Sequence, residues 1–165
     1  MLRTIGDFQQ VWNQESAITA KVLRALTDPS LSQQVVPGGR TLGRVAWHVV
    51  LSVSEMGRHA GLAVEGPSEQ VGIPDVATIA ATYERSARSL ADGVARQWTD
   101  ALLPEKIPMY GEQWPRSGVL ESLIAHQTHH RGQMTVLMRQ AGLAVPGVYG
   151  PSKEEWAAIG MPAQE

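Results

Sequence analysis

The chain has 165 residues, no cysteine, 14 Lys and Arg against 16 Asp and Glu, and a formal net charge of -2. That length suits one domain, residues 1–165, able to bury roughly 70% of its unfolded surface around a single core. The charge balance excludes the broad positive field that phosphate backbones require, and the lack of cysteine excludes disulfides, thiolate metal sites and a cysteine nucleophile.

Proline and glycine divide the chain into four long stretches in which apolar residues recur every three or four positions, the spacing of an amphipathic helix. The first runs from about Ile5 to Leu26, with Phe8, Val11, Trp12, Ile18, Val22 and Leu26 on its stripe, and ends before Asp28-Pro29-Ser30. After Pro37-Gly38-Gly39-Arg40, Thr41 can cap a second helix that continues to about Val64, closed by Gly66-Pro67. A polar linker leads to Pro74-Asp75, where Asp75 can cap a third helix reaching about Leu102 before Pro104.

The segment from Pro104 to Pro115 reads as a loop or short edge strand. A fourth helix is expected from Ser117 to Gln140, with Gly142 where a left-handed cap would sit, and Ser152 can cap one short helix through Trp156. Four long amphipathic helices bury their stripes most economically against one another, so the expected fold is an all-α four-helix bundle with a short extra C-terminal helix. No apolar run approaches the roughly 20 residues that span a bilayer, and Met1 to Asp7 lack the apolar core of a secretory signal. A soluble protein in an intracellular compartment is expected.

The run His126-Gln127-Thr128-His129-His130 places two imidazoles at i and i+4, on one helix face. That face also carries Val119, Leu123, Met134, Leu137 and Ala141, so the pair points into the core. His129 sits about 100° around the helix and is the weaker candidate. On the second helix His48 lies in an apolar interior flanked by Val45 and Leu51, ready to supply a third nitrogen.

A lone histidine on an apolar face is more often a packed core residue with one hydrogen-bond partner, and a H-x-x-x-H pair arises by chance fairly often. Three such residues on facing helices shift the balance toward a metal site. Neutral imidazoles suit zinc, nickel, iron or copper, and three protein nitrogens leave positions open for water or substrate. No Glu follows His126, so the zinc-protease motif H-E-x-x-H is not matched, and no triad order or phosphate-cradling glycine loop is present.

In these residues the chain resembles the DinB and YfiT-like family of bacterial metalloenzymes. The resemblance rests on Arg40-Thr41-Leu42-Gly43 through Trp47-His48, on His126-Gln127-Thr128-His129-His130-Arg131-Gly132-Gln133, and on Tyr149-Gly150-Pro151 in the tail. It implies a four-helix bundle in which His48, His126 and His130 bind a divalent metal, commonly zinc or nickel, with water completing the shell. It also implies a cytoplasmic homodimer. Some members of the family are thiol-dependent S-transferases or isomerases and others look like hydrolases, so the resemblance does not select a reaction. No basic stripe or base-reading motif supports DNA repair.

Further candidates surround the histidines. Glu55 and His59 fall on nearly the face of His48 and can line the site, or simply form the solvated end of the helix. Tyr110 and Trp114 can wall it from the 104–115 segment, or merely pack that segment. Arg131 is either a surface charge or an anchor for an anionic substrate or partner subunit. Gly132 costs about 1 kcal/mol against alanine inside a helix, which close helix packing would offset. Met134 and Met138 are assigned to packing.

The expected function is a metal-dependent enzyme whose ion activates water or a low-molecular-weight thiol for attack on a small organic substrate. The alternative is a non-catalytic stress-response bundle holding a structural ion, closed by a fourth protein ligand such as Glu55 or His59.

Overall fold

The caps expected at Thr41 and Asp75 are in place in the computed structural model, which describes residues 2–67 and 72–162. The Thr41 hydroxyl accepts from Arg44 N at 3.1 Å and opens helix α2, Leu42–His59. The Asp75 carboxylate accepts from Thr78 N at 2.7 Å and opens α3, Val76–Gln97. Helix α1, Ile5–Arg24, begins with a reciprocal cap in which Thr4 and Asp7 satisfy each other's backbone N–H. Helix α4, Arg116–Gln140, starts just after Pro115. The polar linker expected before Pro74 includes residues 68–71, which lie outside the described residues.

Two helix ends differ from the sequence expectation. Helix α2 stops at His59 rather than near Val64, because Gly61 adopts φ +81°. Gly61 N then donates to Arg58 O at 3.0 Å and Leu62 N to Gly57 O at 2.9 Å, which closes the last turn. Helix α3 ends at Gln97, with Trp98 extended and Asp100–Leu102 forming a separate 3-10 helix. Gly142 closes α4 as expected, with φ +74° and Leu143 N donating to Met138 O at 2.9 Å.

The segment expected as a loop or edge strand is a hairpin of β1, Lys106–Met109, and β2, Glu112–Pro115, paired antiparallel with Met109 opposite Glu112. Its two-residue turn, Tyr110-Gly111, has φ of 49° and 86°, the left-handed backbone of a tight primed turn. The final short helix is a 3-10 turn at Trp156–Ile159 rather than a helix capped by Ser152. Residues 152–155 form a turn instead, because the Glu155 carboxylate accepts from Gly147 N at 2.9 Å and Ser152 N at 3.2 Å.

Helix α1 packs chiefly on α3 and α4, and α2 packs on α3 and α4. Helices adjacent in sequence, α1 and α2, therefore lie diagonally across the bundle, which sets α2 beside α4. The core between them holds Phe8, Trp12, Leu23, Val50, Val53, Ile79, Leu90, Leu120, Leu123, Met134 and Met138, all at most 1% exposed. Met134 and Met138 pack as expected, while Val11, expected on the inner stripe, is 37% exposed on the outer face of α1. Among the described residues no helix is long and apolar enough to cross a membrane.

Candidate metal centre

The α2–α4 contact is pinned by a buried amide. Gln127 Nε2 donates to the carbonyl of Val49 and to Ser52 Oγ, both at 3.1 Å. These bonds hold α2 in register with α4 one residue from each of His48 and His126. Sequence reasoning missed Gln127; its signal is a polar side chain that falls between apolar helix faces and therefore requires a partner.

On that register the three predicted histidines meet. His126 Nε2 lies 3.0 Å from His48 Nε2 and 3.1 Å from His130 Nε2. His48 and His126 are half-buried and His130 is buried, and the three form a group able to hold a metal ion. A ring nitrogen carries either one proton or one lone pair, so His126 Nε2 cannot satisfy both neighbours by hydrogen bonding. A cation accepting all three lone pairs resolves the conflict, and nitrogens about 2.0–2.1 Å from such an ion stand roughly 3 Å apart. The donor set therefore fits a divalent metal.

Protonation favours the same reading. Burial, with smaller contributions from the neighbouring histidines His130, His48 and His129, lowers the His126 pKa to about 4. His48 is held below its ordinary value by burial, then by the charges of His130, Arg40 and Arg44. His130 is lowered mainly by burial, partly offset by its bond to Gln133. All three rings are thus neutral near pH 7, with lone pairs available.

Gln133, also missed from sequence, sets the tautomer of His130. Its Oε1 lies 2.7 Å from His130 Nδ1, and an amide oxygen can only accept, so Nδ1 carries the proton and Nε2 the lone pair. The spacing of three residues on one helix was the available signal. His129 is exposed, with Nε2 3.1 Å from Gln133 Nε2, and does not join the trio.

The other sequence candidates lie elsewhere. Glu55, His59 and Tyr110 are exposed at the hairpin end of α2, where the His59 and Tyr110 rings stand 5.2 Å apart and the Tyr110 and Trp114 rings 6.0 Å. The Tyr110 hydroxyl is pushed up by burial and by the Glu55 carboxylate beside it. Among the described residues neither Glu55 nor His59 belongs to the histidine group.

Arg131 is neither a surface charge nor open to a substrate: it is 1% exposed. It ion-pairs with Glu15 and donates to Glu15 O at 3.0 Å, Thr19 Oγ1 at 2.8 Å, Thr128 Oγ1 at 3.1 Å and the Tyr149 hydroxyl. Its position on the α4 turn faces α1 instead of α2, and the tail closes over it through Tyr149. Gly132 is not a packing glycine either, since a methyl group placed there meets nothing within 4 Å.

The DinB family model matches residues 1–165. An uncharacterized protein from Bacillus subtilis strain 168, YrdA, is 44% identical over 164 residues, covering 99% of this chain and 98% of that protein. The crystal structure of a DinB-like protein from Bacillus cereus ATCC 10987 superposes with a TM-score of 0.87 at 46% identity, covering 90% of this chain and all (100%) of that one. A second DinB-like protein, YjoA from Bacillus subtilis, shares the fold at a TM-score of 0.68 and 16% identity, over 86% of this chain and 96% of that chain. This chain, a helical bundle with three clustered histidines between α2 and α4, belongs to the DinB family.

Proposed function

We propose that this protein is a metal-dependent enzyme in which a divalent ion, zinc or nickel by preference, is held by His48, His126 and His130 and serves hydrolysis or thiol transfer on a small organic substrate. The observation that carries the reading is the convergence of three neutral imidazole nitrogens, 3.0 and 3.1 Å apart in the two closest pairs, with no fourth protein group joining them among the described residues. Structural sites are closed by four protein ligands, whereas catalytic sites keep a position open. Such an ion, when bound, lowers the pKa of coordinated water or thiol and polarises a substrate oxygen.

The chain's own residues supply the rest of the site. Gln133 holds the His130 ring in the binding tautomer, and Gln127 keeps α2 against α4 so that the donors stay together. The reading extends to a single-domain protein acting in the cytoplasm as a homodimer, as the family resemblance implies.

The test is elemental analysis of purified protein, followed by the same measurement on His126→Ala. One ion per chain is expected in the wild type and none in the variant. Unchanged stoichiometric metal in the variant overturns the ligand assignment. Activity assays on ester, amide and electrophilic substrates with and without low-molecular-weight bacterial thiols then separate hydrolase from transferase, and a fully metallated protein inert in all of them favours a structural ion.

A further inference from the structure

One turn along the α2–α4 groove from the histidines lies a cavity of about 280 Å³ lined by Val35, Gly39, Arg40, Val45, Gln133, Val136 and Leu137. Its walls are mostly apolar, yet Val35 and Val136 are left 58% and 53% exposed at its mouth. No carboxylate of the described residues lines it. The two polar side chains are Arg40 and Gln133, and Gln133 is the same residue that bonds His130 Nδ1 at 2.7 Å.

The cavity neighbours the candidate centre along both helices. Val45 precedes His48 by three residues, and Leu137 follows His130 by two turns of about 5.4 Å each. Arg40 and Gln133 line the same cavity, and Gln133 in turn reaches His130, so one side chain links the guanidinium's cavity to the candidate centre. Among the described residues the Arg40 guanidinium makes no hydrogen bond or ion pair.

The backbone that carries Arg40 is held in place. Its loop is closed on itself by Gly39 N donating to Val36 O at 3.0 Å and on the helix entry by Leu42 N donating to Gln33 O at 2.8 Å. A bridge between Gln34 and Thr41 completes the clamp. Gly38, with φ +78°, makes the turn possible.

We infer that this cavity binds the apolar tail of a small organic anion, whose carboxylate head rests on Arg40 beside the three histidines. An isolated guanidinium at the rim of an apolar cavity recognises a carboxylate by charge-assisted, often bidentate hydrogen bonds and rejects a cationic head group. At ~30 Å³ per water-sized group, the cavity accommodates roughly nine non-hydrogen atoms, the size of a medium-chain acid. The inference rests on the metal-enzyme reading for its functional meaning, and names the substrate class of that site.

The experiment titrates hexanoate, acetate and hexylamine into zinc-loaded wild type, Arg40→Gln and Val136→Asn, with zinc content measured in the same samples, and repeats the hexanoate titration on zinc-free His126→Ala with and without Arg40→Gln. Hexanoate is expected to bind more tightly than either other probe. Arg40→Gln should weaken it by about tenfold or more without changing zinc content, because one charge-assisted contact is lost. Val136→Asn should weaken hexanoate while leaving acetate unchanged. The Arg40 dependence should persist in the zinc-free protein, which separates this contact from direct coordination. Wild-type hexanoate affinity in Arg40→Gln, or equal affinity for hexylamine, overturns the proposal. Absence of zinc from the wild type would instead overturn the metal reading and leave the hexanoate result to decide this one.

Discussion

Gln133 Oε1 lies 2.7 Å from His130 Nδ1, on the far side of the imidazole from the Nε2 that stands 3.1 Å from His126. The contact crosses one helical turn and decides which nitrogen of His130 can face an ion. Outer-shell partners of this kind are worth about 10–100-fold in metal affinity. Gln133→Leu, which keeps the volume and removes the acceptor, should weaken zinc binding by about that factor in competition with a chromophoric chelator, while Gln133→Glu should retain it. Equal affinity in Gln133→Leu would remove the tautomer argument.

Metal-free protein should lose stability as the solution is acidified from neutrality. His126 has a pKa of about 4 in the folded chain against an ordinary 6.5, so between those values the unfolded chain binds more protons than the folded one. Stability therefore falls as pH drops through this window, and His48 and His130 act in the same direction. The lowered carboxylates Glu154 and Glu155 titrate only below their ordinary 4.5, which leaves the upper part of the window to the histidines. Urea midpoints at pH 7.5 and 5.5 should differ in the wild type and differ less in His126→Gln, where His48 and His130 still contribute; a midpoint that rises on acidification would contradict the assignment.

The pair of Arg131 and Glu15 should be needed for folding, not for chemistry. Their side chains are 1% and 11% exposed, and removing one partner of a buried pair leaves an uncompensated charge. Arg131→Met should cost about 3–5 kcal/mol in urea unfolding, and adding Glu15→Gln should recover part of the loss. Stoichiometric zinc should remain in whatever fraction stays folded. A mild destabilisation with a large loss of zinc would reverse this division of roles.

Two helix glycines should respond oppositely to alanine. At Gly57 a methyl group would stand 2.5 Å from Val64 Cγ2 and 3.1 Å from Leu90 Cδ1, so Gly57→Ala overpacks the α2–α3 contact at a cost of about 1–3 kcal/mol. Gly132 faces open space, and Gly132→Ala should stabilise the isolated chain by roughly 0.5–1 kcal/mol through helix propensity. Thermal melts of the two variants against wild type check both signs. Loss of stability in Gly132→Ala would show that another surface packs on that face in solution.

The four helices, the caps at Thr41, Asp75 and Gly142, and the inward face shared by His126 and His130 were legible in the order of the residues, because helical periodicity and local hydrogen bonding are properties of near neighbours. That order also pointed to His48, whose apolar surroundings repeat every turn of α2. It did not determine where α2 stops: Gly61 ends the helix only because Leu62 and Val64 turn inward, both under 7% exposed, to bury themselves against the core. The tertiary structure alone decided that α2 lies beside α4 and α1 across from α2, so that three nitrogens separated by up to 82 residues in the numbering meet within hydrogen-bonding distance of His126. The fate of Arg131 was decided there too, since a side chain one position past His130 turns by about 100° and finds Glu15 on α1 in place of solvent. Long-range partners such as these depend on how four similar stripes are arranged around one core, and periodicity along a single helix carries no record of that choice.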